Sequence, residues 1–348
     1  MKILIAPNAF KGTLTAAEAG AAVARALRKA CPGASAEVLP IADGGDGLLD
    51  ALRPALGGRV MRSRVEGPLG KKVEARWLLA GSAAVIEMAE ASGLRLLDPR
   101  ALRPLKASTR GVGQLIAAAV AHGAREIIVG LGGSASNDGG AGCAEGFGFR
   151  LLDRGGAPAG PGAAGLASLA AIEPGPAPAA LKRVRVEALA DVSNRLCGRL
   201  GSARVYGPQK GAGPAEVKFM EGALRNYARV VKKYLGRDIA RLKGGAAAGG
   251  LGAGLAAFFG AELLDGSAFV LEKTGFGEKL RAADLLITGE GCFDRQTFYG
   301  KAPGAAIAAA RRLGKPVIVV CGRSLIKGRA RLGALGVAGV IEALPSKD

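Results

Sequence analysis

The sequence predicts an α/β fold of two domains, a parallel-sheet domain made from both ends of the chain and a second, mixed α/β domain inserted between them. Three observations predict it. Apolar strand-like runs alternate with helical stretches at the start and again at the end. Between Arg59 and Met88 the texture changes to short alternating segments. And 348 residues, 49% of them hydrophobic, are more than one core ordinarily holds. Aromatics make up only 4%, so the core must be built from Ala, Leu, Val and Ile, as strands covered on both faces allow.

The elements follow in order. Lys2–Ala6 reads as a strand, and Thr15–Ala30 as a helix with Thr13 or Thr15 as cap and Glu18 in the first turn. Ala36–Pro40 is the next strand, and Asp46–Leu56 a helix closed by Gly57-Gly58. Arg59–Glu66, Lys72–Leu79 and Ala83–Met88 read as antiparallel strands, separated by turns at Pro68-Leu69-Gly70 and Ala80-Gly81-Ser82. Val112–Ala121 is helical and ends at His122-Gly123, where a cation suits the helix dipole. Glu126–Val129 is a buried strand, Ala141–Phe147 a helix start, and Gly155–Ala180, rich in Gly, Pro and Ala, a surface excursion. Val184–Leu189 is a strand, Glu216–Leu235 a long helix, and Gly249–Phe259 a small-residue helix. From Ala283 a clean alternation returns with strand Leu285–Ile287, helix Ala302–Leu313, strand Pro316–Val320 and strand Val337–Ile341. The outer domain is therefore set at 1–58 plus 282–348, and the insert at 59–281.

Composition excludes several classes of function. The five cysteines are scattered without a CxxC pair, so zinc ribbons and redox motifs are unsupported and reduced thiols in a cytoplasm fit best. The amino-terminal strand is broken by Pro7 too early for a signal peptide, and no apolar run has membrane-spanning length free of glycine clusters or charge. The formal charge is +19, yet no Lys/Arg run is interleaved with aromatics, so an anionic small molecule is a better partner than nucleic acid. With His122 the one histidine, acid–base work falls to Asp, Glu or Lys. Nothing in the sequence addresses oligomeric state.

The richest stretch is Gly130-Leu-Gly-Gly-Ser-Ala-Ser-Asn-Asp-Gly-Gly-Ala-Gly142, between a strand and a helix start. A glycine-rich turn opening a helix offers backbone N–H groups to an anion. The ordinary alternative is a tight turn with an Asn/Asp cap, but so many glycines exceed what a cap requires. Other strands end similarly. Asn8 and Lys11 follow the first, Asp43 and Asp46 the second, Asp191 and Asn194 the strand Val184–Leu189, and Glu290 and Asp294 the strand Leu285–Ile287. Ligands of open α/β sheets sit at the carboxyl ends of strands, so these ends argue for one polar cleft. Lys11, Lys210 and Lys301 can hold phosphates there; Asp43, Asp138, Asp191, Glu290 and Asp294 can hold Mg²⁺ or act as base, the parts phosphoryl transfer needs. There is no Walker-type P-loop, and Gly250-Leu-Gly-Ala-Gly254 makes only a weak dinucleotide loop, with no clear strand before it.

With these motifs laid out, the chain resembles the bacterial glycerate kinase family of two-domain type. The resemblance runs from Met1 to about Val340. It is carried by Ile5–Gly12, Ala42–Gly47, Gly130–Gly142, Gly207–Ala212, Ala248–Gly254, Thr288–Asp294, Gln296 and Gly300-Lys301. It implies ATP-dependent, Mg²⁺-assisted phosphorylation of D-glycerate, with 2-phosphoglycerate favoured over 3-phosphoglycerate. It also implies a discontinuous flavodoxin-like domain carrying an α/β insert. On this reading Asp191 or Asp43 accepts the hydroxyl proton and Lys11 assists. Gly132, Gly133, Ser134, Asn137, Lys210 and Lys301 hold ATP. Asn8, Lys11, Asp46 and Asn194 hold substrate, and Asp138, Glu290 and Asp294 hold the metal. The chain departs from the family's pattern at Asn8, where many members have Asp, at Ser136 (usually Thr) and at Arg195 (usually Pro). Cys321–Ser324 stands where a smaller turn is usual, bringing Arg323 toward the cleft rim. The sequence stops near Pro345, where members continue with another helix, which bears on packing of the last sheet edge. The rival readings are a nicotinamide-dependent oxidoreductase using the Gly249–Gly254 loop and a non-catalytic anion-binding or nucleic-acid-binding protein.

Overall fold

The computed structural model describes residues 1–10, 12–175 and 177–343. They fall into two compact units, residues 1–57 with 265–348 and residues 58–264. Along the chain the strands are β1 (Lys2–Pro7), β2 (Ser35–Val38), β3 (Arg59–Glu66), β4 (Lys72–Ala80), β5 (Ala83–Glu87), β6 (Glu126–Gly130), β7 (Arg150–Asp153), β8 (Leu169–Glu173), β9 (Arg185–Ala190), β10 (Glu262–Asp265), β11 (Leu285–Phe293), β12 (Val317–Ser324) and β13 (Gly339–Glu342).

The first unit carries a wholly parallel sheet in the order β13-β12-β11-β1-β2. This is the flavodoxin-like doubly wound order, with its switch point between β1 and β11. The central strands β1, β11 and β12 are covered on both faces, which is why their runs are apolar, whereas the edge strands β2 and β13 are exposed or part-buried. Leu4, Ala6, Val317 and Val319 form one side of the core and Ile3, Ile5 and Ile287 the other. Helix Ala16–Ala30 starts at Thr15, whose hydroxyl accepts from Glu18 N–H while the Glu18 carboxylate accepts from Thr15 N–H at 2.8 Å. Thr13 is not the cap; its hydroxyl donates to the Phe10 carbonyl. The chain re-enters this unit at Asp265, so helices Gly266–Lys273 and Phe276–Ala282 belong to it, whereas the sequence alone began the return at 282.

The second unit has a mixed sheet in the order β10-β9-β6-β5-β4-β3. β3, β4 and β5 pair antiparallel, while β5, β6 and β9 pair parallel. Two reversals bring β3 back to the direction of β5. The β3–β4 turn therefore lies at the same end of the sheet as the loops that leave β5, β6 and β9. Trp77 is fully buried, its indole N–H donating to Ser63 Oγ at 3.0 Å and its ring meeting His122 edge-on at 5.6 Å. His122 caps helix Arg110–Ala121 as expected, with Nδ1 2.8 Å from the Ala118 carbonyl oxygen.

Three expectations are corrected. In the stretch 155–180, residues 155–161 are exposed or part-buried as a surface excursion would be, but 162–173 are not such an excursion. The latter form helix Gly162–Ser168 and strand β8, and Ala163, Leu166, Leu169 and Ile172 join the core. The amide of Asn226, on helix Pro214–Leu235, donates to the Leu166 and Leu169 carbonyls and fixes them there. β11 runs to Phe293, so Glu290 stands on the strand itself rather than in a loop beyond it. Likewise Cys321–Ser324 is strand, not turn: Arg323 on β12 pairs opposite Cys292 on β11 and is exposed.

Candidate active site

In the first unit the site is built at the switch point, where β1 and β11 lie side by side. Asn8 follows β1 and donates its N–H to the Gly289 carbonyl at 2.8 Å. Its Oδ1 accepts from Ala9 N–H, and its Nδ2 donates to Asp43 Oδ2 at 3.3 Å. Asp43 Oδ1 accepts from Gly45 N–H at 3.2 Å, so an amide and a turn aim the carboxylate. Glu290 is 5% exposed on β11; Thr297 donates its hydroxyl to Oε1 at 2.6 Å and Lys301 its ammonium to Oε2 at 3.1 Å. Burial pushes the Glu290 carboxyl above its usual range, against the pull of Thr297 and Lys301. Asn8, Asp43, Glu290, Cys292 and Lys301 line one cavity of about 230 Å³. Asp294 caps the short turn Arg295–Phe298, its Oδ1 accepting from Gln296 N–H at 2.7 Å. Asp46 has a buried Oδ1 without a hydrogen-bond partner among the described residues. Lys11 lies outside the described residues.

In the second unit the glycine-rich loop is braced by its own acid. Asp138 is 0% exposed and its carboxylate is saturated: Oδ2 accepts from Thr109 N–H (2.7 Å), Thr109 Oγ1 (2.8 Å) and Gly142 N–H (3.2 Å), and Oδ1 from Gly140 N–H (3.1 Å). Burial raises its pKa, while the four donors favour the ionised form. Helix Ala141–Phe147 has seven residues, and the amides that the sequence offered to an anion at its start are taken by Asp138. Lys210 is 2% exposed, and its ammonium donates to Ser134 Oγ at 2.8 Å and to the Ser136 carbonyl at 2.5 Å. Burial pushes Lys210 down to about 7, although the Asp138 carboxylate pulls it up. Ser136 Oγ and both amide atoms of Asn137 are buried without partners among the described residues. Buried polar atoms are nearly always paired, so these mark the loop as a place where water or ligand completes the bonding. Gly132 and Gly133 are its accessible part.

The sequence motifs thus sort by unit. Asn8, Asp43, Glu290 and Lys301 come together on the first, and Ser134, Asn137, Asp138 and Lys210 on the second. Asp191 is exposed at the end of β9, and Asn194 spends its amide on the Leu200 carbonyl and the Tyr206 hydroxyl. Thr297 and Thr109, which hold Glu290 and Asp138, went unremarked in the sequence. Thr109 stands 29 residues from its partner, so only its place before a helix marked it. The Gly249 region is not a dinucleotide loop. A Cβ at Gly249 would fall 1.8 Å from the Ser136 carbonyl oxygen, so the glycine exists to let two backbones touch. Among the described residues no three His, Cys, Asp or Glu side chains form a metal-ligand group, and no helix is long and apolar enough to cross a membrane.

A doubly wound unit with an acid–ammonium pocket at its switch point, joined to a mixed-sheet unit with a glycine-rich loop, defines a two-unit α/β kinase of small molecules. Comparison with known proteins makes the class particular. The chain belongs to the glycerate kinase family, whose model matches residues 3–347. It is 43% identical over 345 residues to the glycerate kinase of Halalkalibacterium halodurans, covering 99% of this chain and 90% of that one. It is 41% identical over 324 residues to the glycerate 2-kinase of Escherichia coli K12, covering 92% and 85%. The solved structure of a Salmonella typhimurium LT2 protein assigned as glycerate kinase 2 superposes with a TM-score of 0.85 at 41% identity, covering 99% and 90% of the two chains. Neither the oxidoreductase nor the non-catalytic reading finds support in these relatives.

Proposed function

We propose that this chain transfers the γ-phosphoryl group of ATP to the 2-hydroxyl of D-glycerate. The supporting observation is the cavity of about 230 Å³ in the first unit, which sets an ammonium, an amide and two carboxylates around a space suited to a three-carbon acid. Lys301 faces the glycerate carboxylate. Asp43, held by Asn8 and Gly45, accepts the proton of the attacking hydroxyl. Asn8 and Asp46 orient the acid, with Lys11 as a further group toward substrate. Gly132, Gly133, Ser134, Asn137 and Lys210 serve the phosphates.

The donor set fits Mg²⁺. This ion commonly takes one or two protein carboxylates and fills its octahedron with water and phosphate. Glu290 offers such a carboxylate on the cavity, and a cation there restores the ionised form that burial disfavours in it. Asp294 and Asp138 are less free, the first capping a turn and the second saturated by its donors. When bound, the ion supplies charge neutralisation on the phosphates.

The test is ³¹P NMR of the protein with MgATP and D-glycerate. A new phosphomonoester doublet, split by one proton, is expected for the 2-phosphate; a triplet would move the reaction to the 3-hydroxyl. Asp43→Asn should lower kcat by about 10²–10⁴ and leave glycerate affinity within a few fold. A folded protein that makes no phosphomonoester would overturn the reading.

A further inference from the structure

The second unit has another cavity, of about 600 Å³, at the carboxyl end of its mixed sheet. Its position follows from topology. β3 runs with β5 and β6, so the turn Gly67–Gly70 lies at the end where the glycine-rich loop leaves β6. The chain stretch 108–110 links the two. Ser108 lines the cavity and donates its N–H to the Pro68 carbonyl at 2.8 Å, and Thr109, next in sequence, holds Asp138 of the loop.

The lining is chemically graded. Pro68, Leu69, Pro158 and Pro161 give stiff apolar walls, with Leu69 38% exposed. Arg110 stands between Glu66 (3.5 Å) and Glu145 (3.6 Å), so that charge is balanced. Arg103 and Lys106 line the cavity too, are exposed, and have no carboxylate within 4.0 Å among the described residues. Among the described residues the Arg103 guanidinium donates only to the Leu102 carbonyl, at 2.9 Å, and flat apolar walls beside cations that no described carboxylate neutralises suit a planar heterocycle bearing an anionic tail. The space is much larger than a three-carbon acid needs.

We infer that this cavity is the nucleotide site, with the purine of ATP or ADP packed on Pro68, Leu69 and Pro158, its phosphates nearest the ribose met by Arg103 and Lys106, and the terminal phosphates left to the glycine-rich loop. The inference rests on the kinase reading and names the unit that holds the phosphoryl donor.

The test is calorimetric binding of ADP to the full chain without glycerate, followed by steady-state kinetics. Leu69→Trp fills the cavity from an exposed turn, and Lys106→Glu reverses a rim charge; neither touches the core. Each should weaken ADP binding at least tenfold and raise the KM for ATP to match, with the KM for D-glycerate within twofold of the parent. Folded variants that bind ADP like the parent overturn the inference and leave the glycerate reaction standing. A parent that binds ADP, loses it in both variants and yet phosphorylates no glycerate supports the nucleotide site and removes the acceptor reading instead.

Discussion

Lys210 is a buried ammonium that donates to a hydroxyl and a backbone carbonyl, neither of them charged. A cation so placed is expensive unless an anion arrives, and its depressed pKa of about 7 is the sign of that cost. Linkage fixes the pH dependence. Between about 7 and the ordinary 10.5 the unfolded chain holds a proton that the native state lacks, so stability rises with pH across this window; below 7 the penalty is present in full. Lys210→Met should therefore raise the melting temperature relative to the parent near pH 6, and the gain should shrink toward pH 10. Turnover should fall by two orders of magnitude or more, because the group proposed to meet phosphate is gone. Thermal melts across pH and one activity assay check both; a variant less stable than the parent at pH 6 would show that the two bonds to Ser134 and Ser136 outweigh the desolvation. The glycine-flanked motif marked Lys210 as a candidate phosphate ligand, but nothing in it showed the burial of the side chain. Nothing local says that residue 210 folds onto residues 134 and 136, since that contact is made by tertiary packing.

Elements whose signals are local were legible, and those set by distant contacts were not. Helix Ala16–Ala30 announces itself through Thr15 and Glu18, and helix Ala141–Phe147 has the boundaries its residues suggest. The segment 155–180 looked like a loop because glycine, proline and alanine carry little periodic signal; residues 162–173 within it are ordered by packing on helix Pro214–Leu235. The same small residues set how helices Arg110–Ala121 and Ala141–Phe147 meet. A Cβ at Gly113 would sit 1.9 Å from the Cys143 carbonyl oxygen, and one at Gly146 would sit 2.1 Å from that of Arg110. This near-contact of backbones lets Thr109, at the start of the first helix, reach Asp138 before the second. Gly113→Ala must spread the pair. A loss of about 1–3 kcal/mol is expected from overpacking, together with reduced activity as the Asp138 brace loosens. Urea unfolding checks the first, and a midpoint equal to the parent's would mean the crossing is more pliable than the backbone distances indicate.

At the scale of the whole molecule, chain order and composition carry different messages. The return of the α/β alternation after a long mixed middle disclosed a parallel sheet shared by both ends, as β1, β2, β11, β12 and β13 show. The junction near residue 265 was hidden, because two short helices precede β11 and helical segments alone do not say which sheet they cover. Composition spoke to the partner. With 48 basic against 29 acidic residues, the formal charge of +19 surrounds a reaction whose proposed participants, ATP and glycerate, are both anions. A field of one sign raises the encounter rate of oppositely charged ligands, and salt removes that gain because the screening length falls from about 10 Å at 0.1 M to about 3 Å at 1 M. The KM values for both substrates should therefore rise severalfold between about 0.05 M and 0.5 M salt while kcat changes by less than twofold, since chemistry inside a buried pocket is screened little. Running the series in potassium acetate as well as chloride separates general screening from competition by one anion. KM values flat in both salts would show that the excess charge serves something other than substrate capture, and would direct attention to an acidic partner on the exposed arginines instead.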